Sequence, residues 1–280
     1  MLETLLRASG LPWLEARMLA ERALGCSAVQ IAIRLREPVS PEAASAFTAL
    51  AARRLAGEPA AYILGEREFY GRVFRVTPDV LIPRPETELL CEAVLERLSG
   101  HAAPKPASVL DLGTGSGAIA VTLACERPGL ALTAADLSPA ALAVARANAQ
   151  HLCPQAQVRW IESHWFAALG AERFDLIVSN PPYVAADDGH LQRGDLRFEP
   201  SGALRAGDGG MDCIDAIVAA APAHLHAGGW LLLEHGFDQG ARVRALLARH
   251  GFDGILTLRD LAGQERVSGG VSARVSAAAC

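Results

Sequence analysis

The chain has 280 residues, 51% hydrophobic and 20% charged, enough to bury a sizeable core and inconsistent with global disorder. A net charge of −5 and a pI near 5.9 argue against a protein whose affinity comes from neutralising many nucleic-acid phosphates. No apolar run is long enough to span a bilayer, no polybasic segment flanks an apolar one, and the amino terminus lacks a signal-peptide core. The six cysteines are scattered without a Cys-x-x-Cys pair, so reduced thiols in a cytoplasmic, membrane-free protein are expected.

Leu2, Leu5, Leu6, Leu14, Met18, Leu19 and Leu24 recur at helical spacing and are broken by Ser9-Gly10-Leu11-Pro12. Two short helices are expected, the second ending near Gly25. A third should run from Pro41 to Leu55, with Ser40 as N-cap and proline in the first turn. From Ala61 to Val76 apolar and polar residues alternate around Gly65 and Gly71, which predicts a hairpin connecting the front piece to the main domain. Leu81-Ile-Pro-Arg84-Pro-Glu86 then leads into a helix over 86–99, and Arg84 and Glu86, between prolines, are candidates for being pinned near a ligand. A helical domain over 1–75, a linker to about 85 and a second domain over 86–280 follow.

In the second domain strand and helix signals alternate. Strands are expected at 108–112, 131–135, 158–162, 174–179, 230–233 and 254–258, with helices at 118–125, 139–150, 212–225 and 239–250. Such alternation predicts crossover helices on a mostly parallel sheet, a Rossmann-like α/β fold. The first turn, Asp111-Leu-Gly113-Thr114-Gly115-Ser116-Gly117, lets the backbone pass close to a ligand and leaves a helix N-terminus facing it. Asp136 ends the next strand, roughly twenty residues on, where a carboxylate can accept from ribose hydroxyls. Trp165 follows the third strand and can stack on a base, whereas His164 has no evident partner.

After the strand over 174–179 comes Asn180-Pro181-Pro182-Tyr183. Two prolines remove two backbone donors and stiffen the chain, so an amide side chain is held at a strand's carboxyl end, where ligands bind in open α/β sheets. His224-x-His226 lacks a third ligand, and the two are expected to be solvent-facing, with no metal bound.

The glycine turn, the acid after the second strand and Asn-Pro-Pro-Tyr after the fourth resemble the S-adenosylmethionine-dependent amino-methyltransferases. Ala61 to Phe69, Leu81 to Glu88, His190 to Pro200 and Leu231 to Gly236 narrow the likeness to the bacterial peptide chain release factor N(5)-glutamine methyltransferases. The resemblance covers residues 60–268. It implies a seven-stranded methyltransferase sheet joined by a β-hairpin linker to a small helical domain for substrate recognition. It also implies methyl transfer from S-adenosyl-L-methionine to the glutamine of a Gly-Gly-Gln loop in release factors. Gly113, Thr114, Gly115, Ser116 and Gly117 would cradle the cofactor, Asp136 hold its ribose and Trp165 border its adenine. Asn180, which also faces the cofactor, would with Pro181, Pro182 and Tyr183 bind the glutamine amide, and Asn180, Pro181 and Tyr183 would carry the catalysis. Loop 187–200 is expected to help grip the protein substrate.

The chain departs from the family's closing Leu-Gly-Arg strand, reading Ser268-Gly-Gly-Val-Ser-Ala-Arg instead. A weakened last strand, an altered sheet edge and a carboxyl-terminal tail are therefore expected. A nucleic-acid adenine-N6 methyltransferase uses a similar motif on an exocyclic amine but needs a basic reading surface. A nicotinamide oxidoreductase fits the glycine turn but finds no hydride-transfer arrangement. A binding module without catalysis would not need Asn180 to Tyr183. No stable nucleic-acid partner is expected, and nothing demands more than a monomer.

Overall fold

The computed structural model describes residues 1–99, 106–185, 189, 194–207 and 209–273. Two compact units account for it: Met1–Glu66 with His190–Phe198, and Arg67–Gly189 with Glu199–Cys280.

The first unit is helical. Its elements are α1 (Leu2–Ala8), α2 (Trp13–Leu24), α3 (Ala28–Ile33), α4 (Pro41–Leu55) and α5 (Ala60–Leu64). Their apolar faces meet in a core of Leu2, Leu6, Leu19, Ile31, Phe47 and Ile63, among others. Gly25 ends α2 in the left-handed conformation, and the Ser40 hydroxyl accepts the Ala43 N–H to start α4. A 3-10 turn at Gly194–Phe198 belongs to this unit. Arg54 holds it through Asp195 at 3.0 Å while gripping Glu15 at 2.8 and 3.2 Å, and Arg197 donates to the Ala56 carbonyl.

The hairpin is shorter than its alternation suggests. Ala60–Leu64 is helical with Tyr62 and Ile63 buried, so only β1 (Glu66–Phe69) and β2 (Arg72–Arg75) pair. Tyr70 and Gly71, at φ 50° and 69°, form the two-residue turn that right-twisted strands require. Phe69 and Phe74 meet edge to face at 5.8 Å inside the core of the second unit, which makes the hairpin part of that core rather than a bare connector. The Asn148 side chain accepts from the Arg75 N–H and donates to its carbonyl, fixing the ribbon further.

The second unit comprises α6 (Glu86–Ser99), β3 (Ser108–Leu112), α7 (Ala118–Glu126), β4 (Ala131–Asp136), α8 (Pro139–Leu152), β5 (Val158–Glu162) and β6 (Phe174–Ser179). It continues through α9 (Asp212–His224), β7 (Leu225–Glu234), α10 (Gly240–Arg249), β8 (Phe252–Arg259) and β9 (Glu265–Ser272). The seven strands lie in the order β5-β4-β3-β6-β7-β9-β8, parallel except for β9, which runs antiparallel to both neighbours. Successive side chains point to opposite faces, so Leu176 and Val178 feed one core while Ile177 feeds the other; Leu232 and its neighbours Leu231 and Leu233 divide likewise. Both faces are covered, which is why these strands read as apolar runs rather than alternations. The chain reverses its direction of sheet growth between β3 and β6, and the crevice at their carboxyl ends is the switch point where ligands bind.

The last strand is not weakened, and it does not form the edge. β9 pairs β7 from Trp230↔Val271 to Glu234↔Val267 and pairs β8 on its other side. A Cβ on Gly269 would stand 2.2 Å from the Leu231 carbonyl oxygen and 2.6 Å from Leu232 Cδ2. The small residues that look like decay are what the inserted strand needs. Residues 274–280, expected as a tail, lie outside the described residues.

Among the described residues no helix is long and apolar enough to cross a membrane, and no group of three or more His, Cys, Asp or Glu could hold a metal ion. His224 is buried rather than solvent-facing. It stacks on Phe166 at 4.5 Å, with Nδ1 2.9 Å from the Glu172 carbonyl oxygen, while His226 is exposed.

Candidate functional site

The carboxyl ends of β3, β4 and β6 open onto a cavity of about 350 Å³. Its walls include Leu112, Gly113 and Gly115 after β3, Asp136 to Ser138 after β4, Ser163 to Trp165 after β5, and Asn180 and Pro182 after β6. Asp79 to Leu81, Pro200, Gly202, Ala203 and Cys213 complete it. Of the residues expected around a cofactor, Gly113, Gly115, Asp136, Trp165 and Asn180 face this space together.

Thr114, Ser116 and Gly117 do not line it; they build the turn behind it. Thr114 Oγ1 donates to Asp111 Oδ2 at 2.6 Å, and the Ser116 carbonyl accepts from Asn148 Nδ2 at 2.8 Å. Gly117, at φ 80°, sits where a Cβ would press within 3.0 Å of Ala145 Cβ, so glycine sets the distance between the start of α7 and α8. Gly113 has room for a methyl, which would meet Trp165 Cζ3 at an ordinary 3.5 Å; it is the left-handed φ of 72° that calls for glycine there.

Asp136 locks the glycine turn to β4. One carboxylate oxygen accepts the Gly115 N–H at 2.8 Å and the other the Ser138 N–H at 2.9 Å. A carboxylate has about four acceptor positions, so two remain for donors on a ligand. Trp165 adopts φ 50°, a left-handed conformation that strains a bulky residue by about 1–3 kcal/mol. Ser163 pins it: its hydroxyl donates to the Trp165 carbonyl at 2.8 Å and accepts the Ala168 N–H at 3.0 Å. Strain held this firmly at a cavity wall marks a placed side chain.

At the end of β6 the motif divides. Asn180 Nδ2 donates to Thr87 Oγ1 of α6 at 3.0 Å, and among the described residues Oδ1 has no partner. Pro181 is buried, and Tyr183 lies partly in the core, with its hydroxyl 3.3 Å from Glu234 Oε1 and its carbonyl accepting from Gln239. Pro181 and Tyr183 are thus beside the cavity rather than in its wall. Burial beside the Glu234 carboxylate raises the tyrosine pKa, so it stays a phenol.

Two buried carboxylates stand behind the site. Glu234 is 1% exposed, and desolvation raises its pKa to about 7 against the pull of Thr87, Tyr183 and Arg266. Asp111 is fully buried and raised to about 7 by desolvation, although Thr114 and the Ala120 N–H bond one oxygen; the other has no partner. Because the folded pKa lies above the unfolded value of about 3.9, folding favours the protonated acid. Asp111's contribution is therefore full below the unfolded value and lost as pH rises through about 7. Between about pH 5.5 and about pH 8.5 the wild type should lose about 2 kcal/mol relative to Asp111→Asn, read by chemical denaturation at both pH values. Parallel pH dependence in the two proteins would contradict the assignment.

Arg84 is pinned, but by protein: it pairs with Glu199, whose other oxygen accepts the Ile82 N–H at 3.1 Å. That buried carboxylate ties Leu81 and its neighbours to Pro200, and so holds two cavity walls together. Asp79, Val80 and Cys213 carried no signal in the sequence pattern, and Leu81 and Thr87, though inside the Leu81–Glu88 stretch that carries the resemblance, were given no role there. Of loop 187–200, residues 187, 188 and 190–193 lie outside the described residues.

Comparison with known proteins places these features. Residues 2–65 match the family model described as PrmC N-terminal domain, and residues 86–195 match Methyltransferase small domain. A release factor glutamine methyltransferase of Bordetella pertussis is 54% identical over 96% of this chain and 98% of its own. The enzyme of the same name from Pseudomonas aeruginosa is 50% identical over 95% and 96%. Among solved structures, the T. thermophilus 16S rRNA N2 G1207 methyltransferase, in complex with AdoMet and guanosine, superposes with a TM-score of 0.54 at 25% identity, covering 74% of this chain and 49% of that one.

Proposed function

The chain belongs to the release factor glutamine methyltransferase family, and we propose that it performs that family's reaction in the cavity at the ends of β3, β4 and β6. It is an S-adenosylmethionine-dependent protein-glutamine N-methyltransferase, acting on the glutamine of the Gly-Gly-Gln motif of peptide chain release factors. The observation that carries the site is that Asn180 lines the same cavity as Gly113, Gly115, Asp136 and Trp165. The donor set suits the cofactor: a carboxylate with spare acceptor positions for a ribose, an indole for a base, and a turn of bare backbone between them.

When bound, S-adenosylmethionine supplies a methyl group made electrophilic by a cationic sulfur. The chain must do the rest. An amide nitrogen is a weak nucleophile because its lone pair is delocalised into the carbonyl. Asn180 Oδ1 and the Pro181 carbonyl accept the two N–H bonds of the glutamine amide, fixing its nitrogen and favouring positive charge on it as the bond forms. Proline suits the second position because its nitrogen offers no competing donor. Pro182 closes the cavity side, and Tyr183, clamped at its hydroxyl by Glu234, flanks the amide and holds the motif's end. The proton leaves once the nitrogen is cationic, so no strong base is needed beforehand.

The helical unit over 1–65 recognises the protein substrate, and loop 187–200 helps hold it. The enzyme acts as a monomer in the cytoplasm. Labelled methyl transfer with purified unmodified release factor, duplex DNA and structured RNA as acceptors tests the reading. Label on the protein alone is expected; label on nucleic acid in preference to protein would overturn it in favour of an adenine-type amino acceptor.

A further inference from the structure

We propose that Gln239 is a positioning residue for methyl transfer, fixing Tyr183 through its backbone carbonyl so that the ring stays against the glutamine amide. The inference rests on the reading of Tyr183 as the flank of that amide, and extends it to a residue outside the cavity wall.

A phenol held only at its far end can still shift at its backbone. The Tyr183 hydroxyl lies 3.3 Å from Glu234 Oε1, longer than the roughly 2.5–3.0 Å of a normal O–H···O bond. The firmer hold is at the other end. The Tyr183 carbonyl accepts from Gln239 Nε2 at 2.9 Å, and the same NH2 donates to the Gly210 carbonyl at 3.1 Å. Gln239 Oε1 in turn accepts the Gly236 N–H at 2.9 Å.

This amide has one orientation. Carbonyls only accept and a backbone N–H only donates, so a flipped side chain would lose all three bonds. Gln239 is 7% exposed, where unmade bonds are costly. The turn it reaches from is fixed as well. Gln239 caps the start of α10, and the neighbouring His235 is bonded at both ring nitrogens, to the Gly236 carbonyl and to Ser268 Oγ, each at 2.8 Å.

Gly210 completes the fit. A Cβ there would stand 2.6 Å from the Tyr183 carbonyl oxygen and 2.9 Å from Gln239 Nε2, so a bare residue lets the amide sit between the two carbonyls. One residue further on, the Val184 N–H donates to the Leu204 carbonyl at 3.0 Å and its carbonyl accepts the Ala206 N–H at 2.9 Å. Gln239 therefore grips the chain where it leaves the motif and, through Gly210, beyond where it returns. A reacting group misplaced by about 1 Å can cost about 100-fold in rate with binding otherwise intact.

The test measures kcat and KM on release factor, and S-adenosylmethionine affinity, for Gln239→Met, Tyr183→Leu and the double variant. Methionine matches glutamine in length and donates nothing. Gln239→Met should lower kcat by about tenfold or more, with KM for release factor and cofactor affinity each within about twofold. In the Tyr183→Leu background the same substitution should cost less than about twofold in kcat, because no ring remains to misplace. Wild-type kcat in Gln239→Met, cofactor affinity lost in step with kcat, or a full additional loss in the double variant would each overturn the proposal. Should Gln239→Met fail to fold, Gln239→Asn, whose amide is one methylene short of these partners, decides by the same criteria alone and with Tyr183→Leu. Wild-type protein inactive on release factor would instead overturn the proposed function, a distinct result.

Discussion

Asn180→Ala should bind S-adenosylmethionine within a few-fold of the wild type and lose about 100- to 1,000-fold in kcat, the usual consequence of removing one preorganised polar contact to developing charge. The asymmetry follows from the site. Asn180 is one wall residue among many for the cofactor, whereas its Oδ1 is an acceptor without a protein partner among the described residues. The substitution also strands Thr87 Oγ1, so a fall in stability of about 1–3 kcal/mol accompanies it. Calorimetric titration of the cofactor beside steady-state kinetics separates the effects. Affinity lost in proportion to kcat would show that Asn180 serves the cofactor and not the amide.

The second large effect belongs to Asp136→Ala, and it should fall on the other parameter. Removing the carboxylate frees the Gly115 and Ser138 N–H groups, each held within 3 Å, and deletes the acceptors left for the ribose. Bonds to a charged acceptor contribute about 1.5–3 kcal/mol each. Loss of roughly 3 kcal/mol of cofactor binding corresponds to about 100-fold in Kd. At saturating cofactor kcat should stay within a few-fold, because the amide-holding residues follow β6 whereas Asp136 ends β4. Asp136→Asn keeps one acceptor oxygen and should fall between. An unchanged Kd in Asp136→Ala, measured by calorimetry, would remove Asp136 from the cofactor site.

Much of this was legible because it is local. Ser40 before Pro41, Gly25 after α2, and the glycine turn twenty-odd residues before Asp136 each act within a few residues or one βα unit. Two short helices were not. The capping box of Ser27 and Gln30 starts α3, a six-residue helix whose one fully buried residue, Ile31, leaves no periodicity to see. In α5 the pair Tyr62 and Ile63 reads as alternation because five residues barely exceed one turn.

The support behind the motif was illegible for a different reason. Thr87 lies 93 residues from Asn180, and Glu234 lies 51 from Tyr183. Their meeting depends on β7 lying beside β6 and α6 packing on both, a consequence of strand order that no local pattern encodes. β9 misled for the same reason. Gly269 and Gly270 lower strand propensity, yet insertion between β7 and β8 leaves no room for a side chain at Gly269.

The most direct test of the central claim is tandem mass spectrometry of the Gly-Gly-Gln peptide from unmodified release factor incubated with this enzyme and S-adenosylmethionine. One added methyl group on the side-chain amide of that glutamine, absent when Asn180→Ala replaces the wild type, is the predicted result. An unmodified glutamine with methyl found elsewhere in the release factor, or an Asn180→Ala protein that methylates it as fast as the wild type, would contradict the account.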